Sequence, residues 1–213
     1  MTTVYEQDVK CAHCGVTSSH MVIGSTNAMG YPDLDLRPPE MQRSTMRVWA
    51  QQCPGCGLVA GDLAQEQGDI GDLLVSERYR SIRTNGSLPQ LTSRFWCAAM
   101  VDAARGDHRA AFHSMLCAAW AADDAHLGEL AQQCRRLAVE SFNRDPDQVW
   151  DARFQLLDVL RRARLWSEAE ALVNDLQQQQ PSLSPQLSKV VEFQSKLVAE
   201  RDHRSYTFGD ALA

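Results

Sequence analysis

Along this chain the spacing of hydrophobic positions changes character. From Leu91 almost to the C-terminus they recur every three to four residues, the period of helices that bury one face; before residue 60 no such stripe runs. The first part is rich in Thr, Ser, Val, Gly and Pro instead, and predicts short strands around residues 16–23 and 45–52. Residues 61–90 read as a connector with one short helix around 70–82, closed by the turn-forming Asn85-Gly86-Ser87-Leu88-Pro89.

Punctuation divides the remainder into helices. A first helix over 92–105 stops at Gly106, a residue that accepts the left-handed conformation of many helix ends, and Asp107 can cap the next. That second helix places Phe112, Met115, Leu116, Ala119 and Trp120 on one face, and a third repeats the pattern with Leu127, Leu130, Ala131, Cys134 and Ala138. Asp145-Pro146-Asp147-Gln148 supplies a cap and a first-turn proline for a helix with Trp150, Phe154 and Leu157 inside. Ser167-Glu168-Ala169-Glu170 reads as a capping box, opening a helix whose inner face carries Trp166, Ala169, Val173 and Leu176 and which ends at Gln177 to Gln180 and Pro181. Ser184-Pro185 then starts a last helix with Leu187, Val190, Val191, Leu197 and Val198.

Cysteine spacing adds chemistry to the strand-rich part. Two units, Cys11-Ala12-His13-Cys14-Gly15 and Cys53-Pro54-Gly55-Cys56-Gly57, share the C-x-x-C-G pattern. In such a knuckle the chain turns sharply so that amides face the sulfur, and glycine takes the positive φ without a side-chain clash. Cys11, Cys14, Cys53 and Cys56 are therefore expected to hold one Zn²⁺ as a closed, structural four-thiolate site, with iron as the alternative metal. His13, between two ligands, is not counted among them. Between Cys14 and Cys53 lie 38 residues, where simple ribbons have roughly 15 to 20. A loop over 24–44 must leave the ribbon and return, and it carries Asp33, Asp35, Arg37, Glu40 and Arg43 as candidate binding residues; a solvated loop tied by its own ion pairs is the plainer reading.

Cys97, Cys117 and Cys134 stand alone in apolar helical stretches. His113 and Cys117 share a helix face, and with no second pair in view they read as a packed core edge.

Composition limits the partners. The 213 residues carry a formal net charge of -6, and Lys10, Arg37, Arg43 and Arg47 are the only cations in the first 60. Nucleic-acid affinity comes chiefly from neutralising phosphates with Lys and Arg, so this balance argues against DNA or RNA, while leaving room for a small basic patch such as Arg161, Arg162 and Arg164. No apolar run approaches the roughly 20 residues of a membrane span, and the start, with Glu6 and Asp8, is unlike an export signal. A cytoplasmic location with reduced thiols is the expectation.

Two hairpins look alike: residues 103–110 (Ala-Ala-Arg-Gly-Asp-His-Arg-Ala) and 162–169 (Arg-Ala-Arg-Leu-Trp-Ser-Glu-Ala). Their short turns and small residues resemble tetratricopeptide-type helical pairs, although an extra helix separates the copies. With the two knuckles, Met46-Arg47-Val48-Trp49 entering the second as a strand, and Leu116-Cys117-Ala118-Ala119-Trp120, the chain resembles a bacterial family of uncharacterised proteins. In that family two widely spaced C-x-x-C knuckles precede a tetratricopeptide-like tail, and the resemblance implies zinc and this architecture. The expected fold is α+β and mostly α: a zinc-ribbon-like unit over 1–60 with an inserted loop, a connector over 61–90, and a TPR-like antiparallel helical layer over 91–213.

No G-x-S-x-G, H-E-x-x-H or phosphate-cradling glycine loop is present. The sequence therefore points to a non-catalytic protein-interaction module, an adaptor or scaffold that recognises a protein or peptide. The alternative is a hydrolytic enzyme or enzyme subunit that uses the Asp33, Asp35, Arg37 and Glu40 loop. Self-association is a further expectation, from Lys189, Glu192, Lys196 and Glu200 beside the apolar stripe of the last helix.

Overall fold

The computed structural model of the chain describes residues 2–65, 68–145, 152–179 and 183–213. They divide into two compact units, Met1–Asn27 with Met41–Asp145, and Ala28–Glu40 with Pro146–Ala213. The boundaries anticipated near residues 60 and 90 do not mark these units. Ribbon and first helices share one, while the middle of the inserted loop belongs to the other.

In the first unit β1 (Thr3–Lys10) and β2 (Thr17–Ser25) form an antiparallel hairpin with Lys10 opposite Thr17 and Gln7 opposite His20. β2 coincides with an expected strand; β1 was not anticipated, because Glu6, Gln7 and Asp8 break any apolar alternation. The second expected strand is largely a 3-10 turn, Met46–Val48. Val48 N–H donates to Thr45 C=O, and the Trp49 indole donates to the Thr45 hydroxyl at 2.7 Å, so these residues satisfy one another locally. Only β3 (Gln51–Gln52) remains extended, paired with β4 (Val59–Ala60). Each cysteine knuckle thus caps the turn of its own hairpin.

The connector helix is two, α2 (Gly71–Val75) and α3 (Glu77–Thr84), parted at Ser76. Ser76 is extended and its hydroxyl accepts the Tyr79 N–H, which starts α3 afresh. α4 (Gln90–Ala104), α5 (His108–Asp124) and α6 (Gly128–Arg144) follow, each packed on the next, with α4 also against β4. Phe112, Met115, Leu116, Ala119 and Trp120 are all buried, and Phe112 meets Phe142 edge to face at 5.5 Å. Leu127 instead lies exposed in the turn before α6.

In the second unit α7 (Ala152–Arg162), α8 (Trp166–Gln178) and α9 (Pro185–Ala199) pack together, and Ser184 caps α9 as expected. The Asp145-Pro146-Asp147-Gln148 cap, Trp150 and the Gln180-Pro181 stop include residues outside those described. α8 begins at Trp166, without the capping box expected at Ser167. A short α10 (Phe208–Leu212) ends the described chain, opened by a capping box between Thr207 and Asp210.

Four helix ends close in one way. Gly106, His126, Arg164 and Arg201 have φ of 78°, 59°, 57° and 52°. Each donates its N–H to the carbonyl three residues back, and the next N–H reaches five back: Asp107 to Asp102, Leu127 to Ala122, Leu165 to Leu160, Asp202 to Leu197. This is the Schellman closure, which satisfies the last carbonyls and turns the chain within a few residues. The two hairpins that look alike in sequence share it.

Candidate metal centre

Both knuckles are built by the same backbone bonds. Cys11 N–H donates to Val16 C=O and Gly15 N–H to Cys11 C=O; Cys53 N–H donates to Leu58 C=O and Gly57 N–H to Cys53 C=O. Gly15 and Gly57 take φ of 76° and 77°, a region that a Cβ would strain. The two loops therefore present their cysteines in equivalent ways.

The Sγ atoms of Cys11, Cys14, Cys53 and Cys56 all lie within 4.8 Å of one another. Across the knuckles Cys11 and Cys56 are 3.8 Å apart and Cys14 and Cys53 3.5 Å. A tetrahedral ion with bonds of ~2.3 Å to sulfur requires sulfur separations of about 3.8 Å. The four side chains thus fit one metal ion, and they form no disulfide. Cys11 and Cys53 are buried, Cys56 is half-buried and Cys14 is exposed, so one edge of the cluster meets solvent.

No protein-family model, curated protein or solved structure matches this chain. The reading of the centre consequently rests on its own geometry.

The thiols influence one another strongly. Burial raises the Cys53 thiol, but the amides of Cys56 and Gly55 and the side chains of Cys14 and Cys56 outweigh it and bring the group down to about 7. Burial pushes Cys56 up to about 12, helped by the neighbouring thiols. Four sulfurs at this spacing cannot all become thiolates without a cation to offset them, and a divalent metal supplies that charge.

Surrounding residues fix the knuckles. Ala12 N–H donates to Leu63 C=O at 2.8 Å, and the Gln51 side-chain oxygen accepts Leu63 N–H at 3.1 Å, which links the first knuckle to the segment after the second. From α3, the Tyr79 hydroxyl accepts Val59 N–H at 3.1 Å and donates to Gly57 C=O at 3.0 Å, with the ring fully buried. Nothing in the sequence marked Tyr79; a lone tyrosine in a short amphipathic helix reads as ordinary core. The Arg83 guanidinium lies 2.9 Å from the point a Cβ on Gly57 would occupy.

The remaining cysteines are enclosed in helices. Burial pushes Cys97 up to about 12 against the opposing pull of Arg83 and Tyr79, and Cys134 up to about 12 against that of Arg135. Cys117 lies 3.7 Å from the His113 ring. Among the described residues the four knuckle cysteines form the one group of three or more candidate metal ligands.

The loop residues go elsewhere. Asp33, Asp35 and Arg37 are buried within the second unit, Glu40 is exposed at the start of α1 (Glu40–Arg43), and Arg43 is half-buried at its end. The Asp35 carboxylate accepts from Arg162 at 2.8 Å and from the Arg37 amide at 3.3 Å, and Gln155 donates to its carbonyl at 2.8 Å. Asp33 accepts from the Ser205 hydroxyl at 3.2 Å. Leu34 N–H donates to Tyr206 C=O and Phe208 N–H to Pro32 C=O. Arg161 and Arg162 are not a surface patch: Arg161 is fully buried on Asp158 and the Asp202 carbonyl, and Arg162 holds Asp35. Burial raises the Asp158 carboxyl against the attraction of Arg161.

Proposed function

We propose that the chain is a zinc-binding, non-catalytic interaction module in which Cys11, Cys14, Cys53 and Cys56 hold one structural Zn²⁺. The observation that carries the reading is the convergence of four thiols, and no other ligand type, within 4.8 Å. Such a donor set fills a tetrahedral ion and leaves no position for water or substrate. Zinc binding contributes on the order of 10 kcal/mol to small zinc domains, which suits a ribbon whose β1 and β2 are mostly exposed.

A partner surface is supported by the helices, which resemble tetratricopeptide pairs in their short turns. Trp96 and Met100 of α4, Met115 of α5 and Leu137 of α6 line a groove of about 310 Å³ flanked by Arg78 and Glu140. Trp96 and Met115 are buried in its floor and Met100 and Leu137 are half-buried, so an apolar surface beside charged groups is what the groove offers a peptide with apolar anchors. Among the described residues no helix is long and apolar enough to cross a membrane.

The test compares wild type with Met100→Glu, which places a charge in the groove. The reading predicts that a discrete protein retained from native lysate by the wild type is lost with Met100→Glu while zinc content is unchanged. Turnover of a substrate by the purified chain, abolished by substitutions in the 33–40 loop, would contradict it.

A further inference from the structure

A second cleft lies in the same unit as the knuckles and shares no lining residue with the groove. Strand β2, the 3-10 turn with β3, and α4 enclose a cleft of about 480 Å³. Each contributes a basic group, His20, Arg47 and Arg94, and Ser18 and Gln52 add neutral polar groups. No carboxylate lines the cleft. In a chain of net charge -6, the two arginines without an acid among the lining residues are a local reversal of sign.

Arg94 is the anchor. Its Nε is buried and, among the described residues, has no hydrogen-bond acceptor. Arg94 also lines the cleft, and a guanidinium so placed is a strong donor for an oxyanion through its outer N–H groups, whose planar fork matches phosphate and carboxylate oxygens. Burial, and then the charge of Arg94, holds the His20 ring below its ordinary range, while the Ser18 hydroxyl and the His20 Nε2 are hydrogen-bonded at 2.8 Å.

We propose that this cleft binds the phosphate group of a phosphorylated small molecule. Two guanidiniums call for a ligand near two negative charges, which a phosphate monoester carries at neutral pH, and the neutral imidazole adds a polar contact. Met21, Val48 and Pro54 on the same walls offer apolar contact for its organic body. The volume is that of a small-molecule site. A nucleic-acid strand would need cations continuing beyond the cleft, and the first 60 residues hold only Lys10, Arg37 and Arg43 besides Arg47.

The test titrates the full-length, zinc-loaded protein with glucose 6-phosphate, glucose and succinate at constant ionic strength, following the arginine Nε–H and His20 ring signals by NMR. Glucose 6-phosphate is expected to shift the Arg94 and His20 signals saturably and glucose to leave them in place. Arg47→Gln and Arg94→Gln should each weaken binding about tenfold. Arg47 is exposed, so its variant keeps the fold whatever Arg94→Gln does. No saturable shift with the sugar phosphate, or unchanged affinity in Arg47→Gln, would overturn the site; succinate binding as tightly would overturn the phosphate assignment.

Discussion

Tyr79 shows how one side chain can brace a cysteine cluster without belonging to it. Its hydroxyl occupies the place of a backbone partner at the base of the second knuckle, taking Val59 N–H and giving to Gly57 C=O. Tyr79→Phe would leave both groups facing a buried ring, at a cost of roughly 1–3 kcal/mol. Thermal unfolding and zinc transfer to a chelator should both become easier; unchanged behaviour in both would show that the hydroxyl is dispensable. The four cysteines were legible in the sequence because metal ligation demands residue type and local spacing together. Tyr79 was not, since its role depends on where α3 docks, and no local pattern states that.

At the next scale, the helix ends decide where the chain turns back on itself. Gly106, His126, Arg164 and Arg201 adopt the same left-handed closure, yet only Gly106 does so without steric cost. His126→Gly relieves strain in the folded state and adds freedom to the unfolded chain, for a net gain of about 0.5–1 kcal/mol. Urea unfolding checks the sign: a lower midpoint in His126→Gly would mean that the imidazole contributes more than its backbone strain costs. The same four turns explain which boundaries could be read. Gly106 announced its turn by residue type, whereas the turn at Arg164 was legible only from the likeness of 162–169 to 103–110, and the Ser167-Glu168-Ala169-Glu170 pattern suggested a helix start slightly beyond Trp166. The helical stripes themselves were plain, because burial of one face imposes the period. β1 lacked that signature: it pairs only with β2 and leaves most of its side chains in solvent.

At the scale of the molecule, the chain leaves its first unit after the first hairpin, contributes residues 28–40 to the second, and returns. Asp35 and Arg162, 127 positions apart, are what that excursion pairs. Both are buried, so removing one breaks their ion pair and leaves the other's buried charge less well compensated; Asp35→Ala should cost about 3–5 kcal/mol, whereas the double variant with Arg162→Met should recover much of it. Melting curves for the single and double variants decide this, and equal losses in both would mean that the pair is not coupled. Asp33, Asp35 and Arg37 read as candidate binding residues or a solvated loop because charge in sequence normally means solvent, and Arg162, which pairs with Asp35, lies far along the chain. Zinc content should not change in these variants, because the four ligands all belong to the other unit. That centre is tested most directly by elemental analysis of the purified protein combined with X-ray absorption at the metal edge. One zinc per chain with four sulfur neighbours at about 2.3 Å is the predicted result. A protein without stoichiometric metal, or a metal with nitrogen or oxygen neighbours, would contradict it.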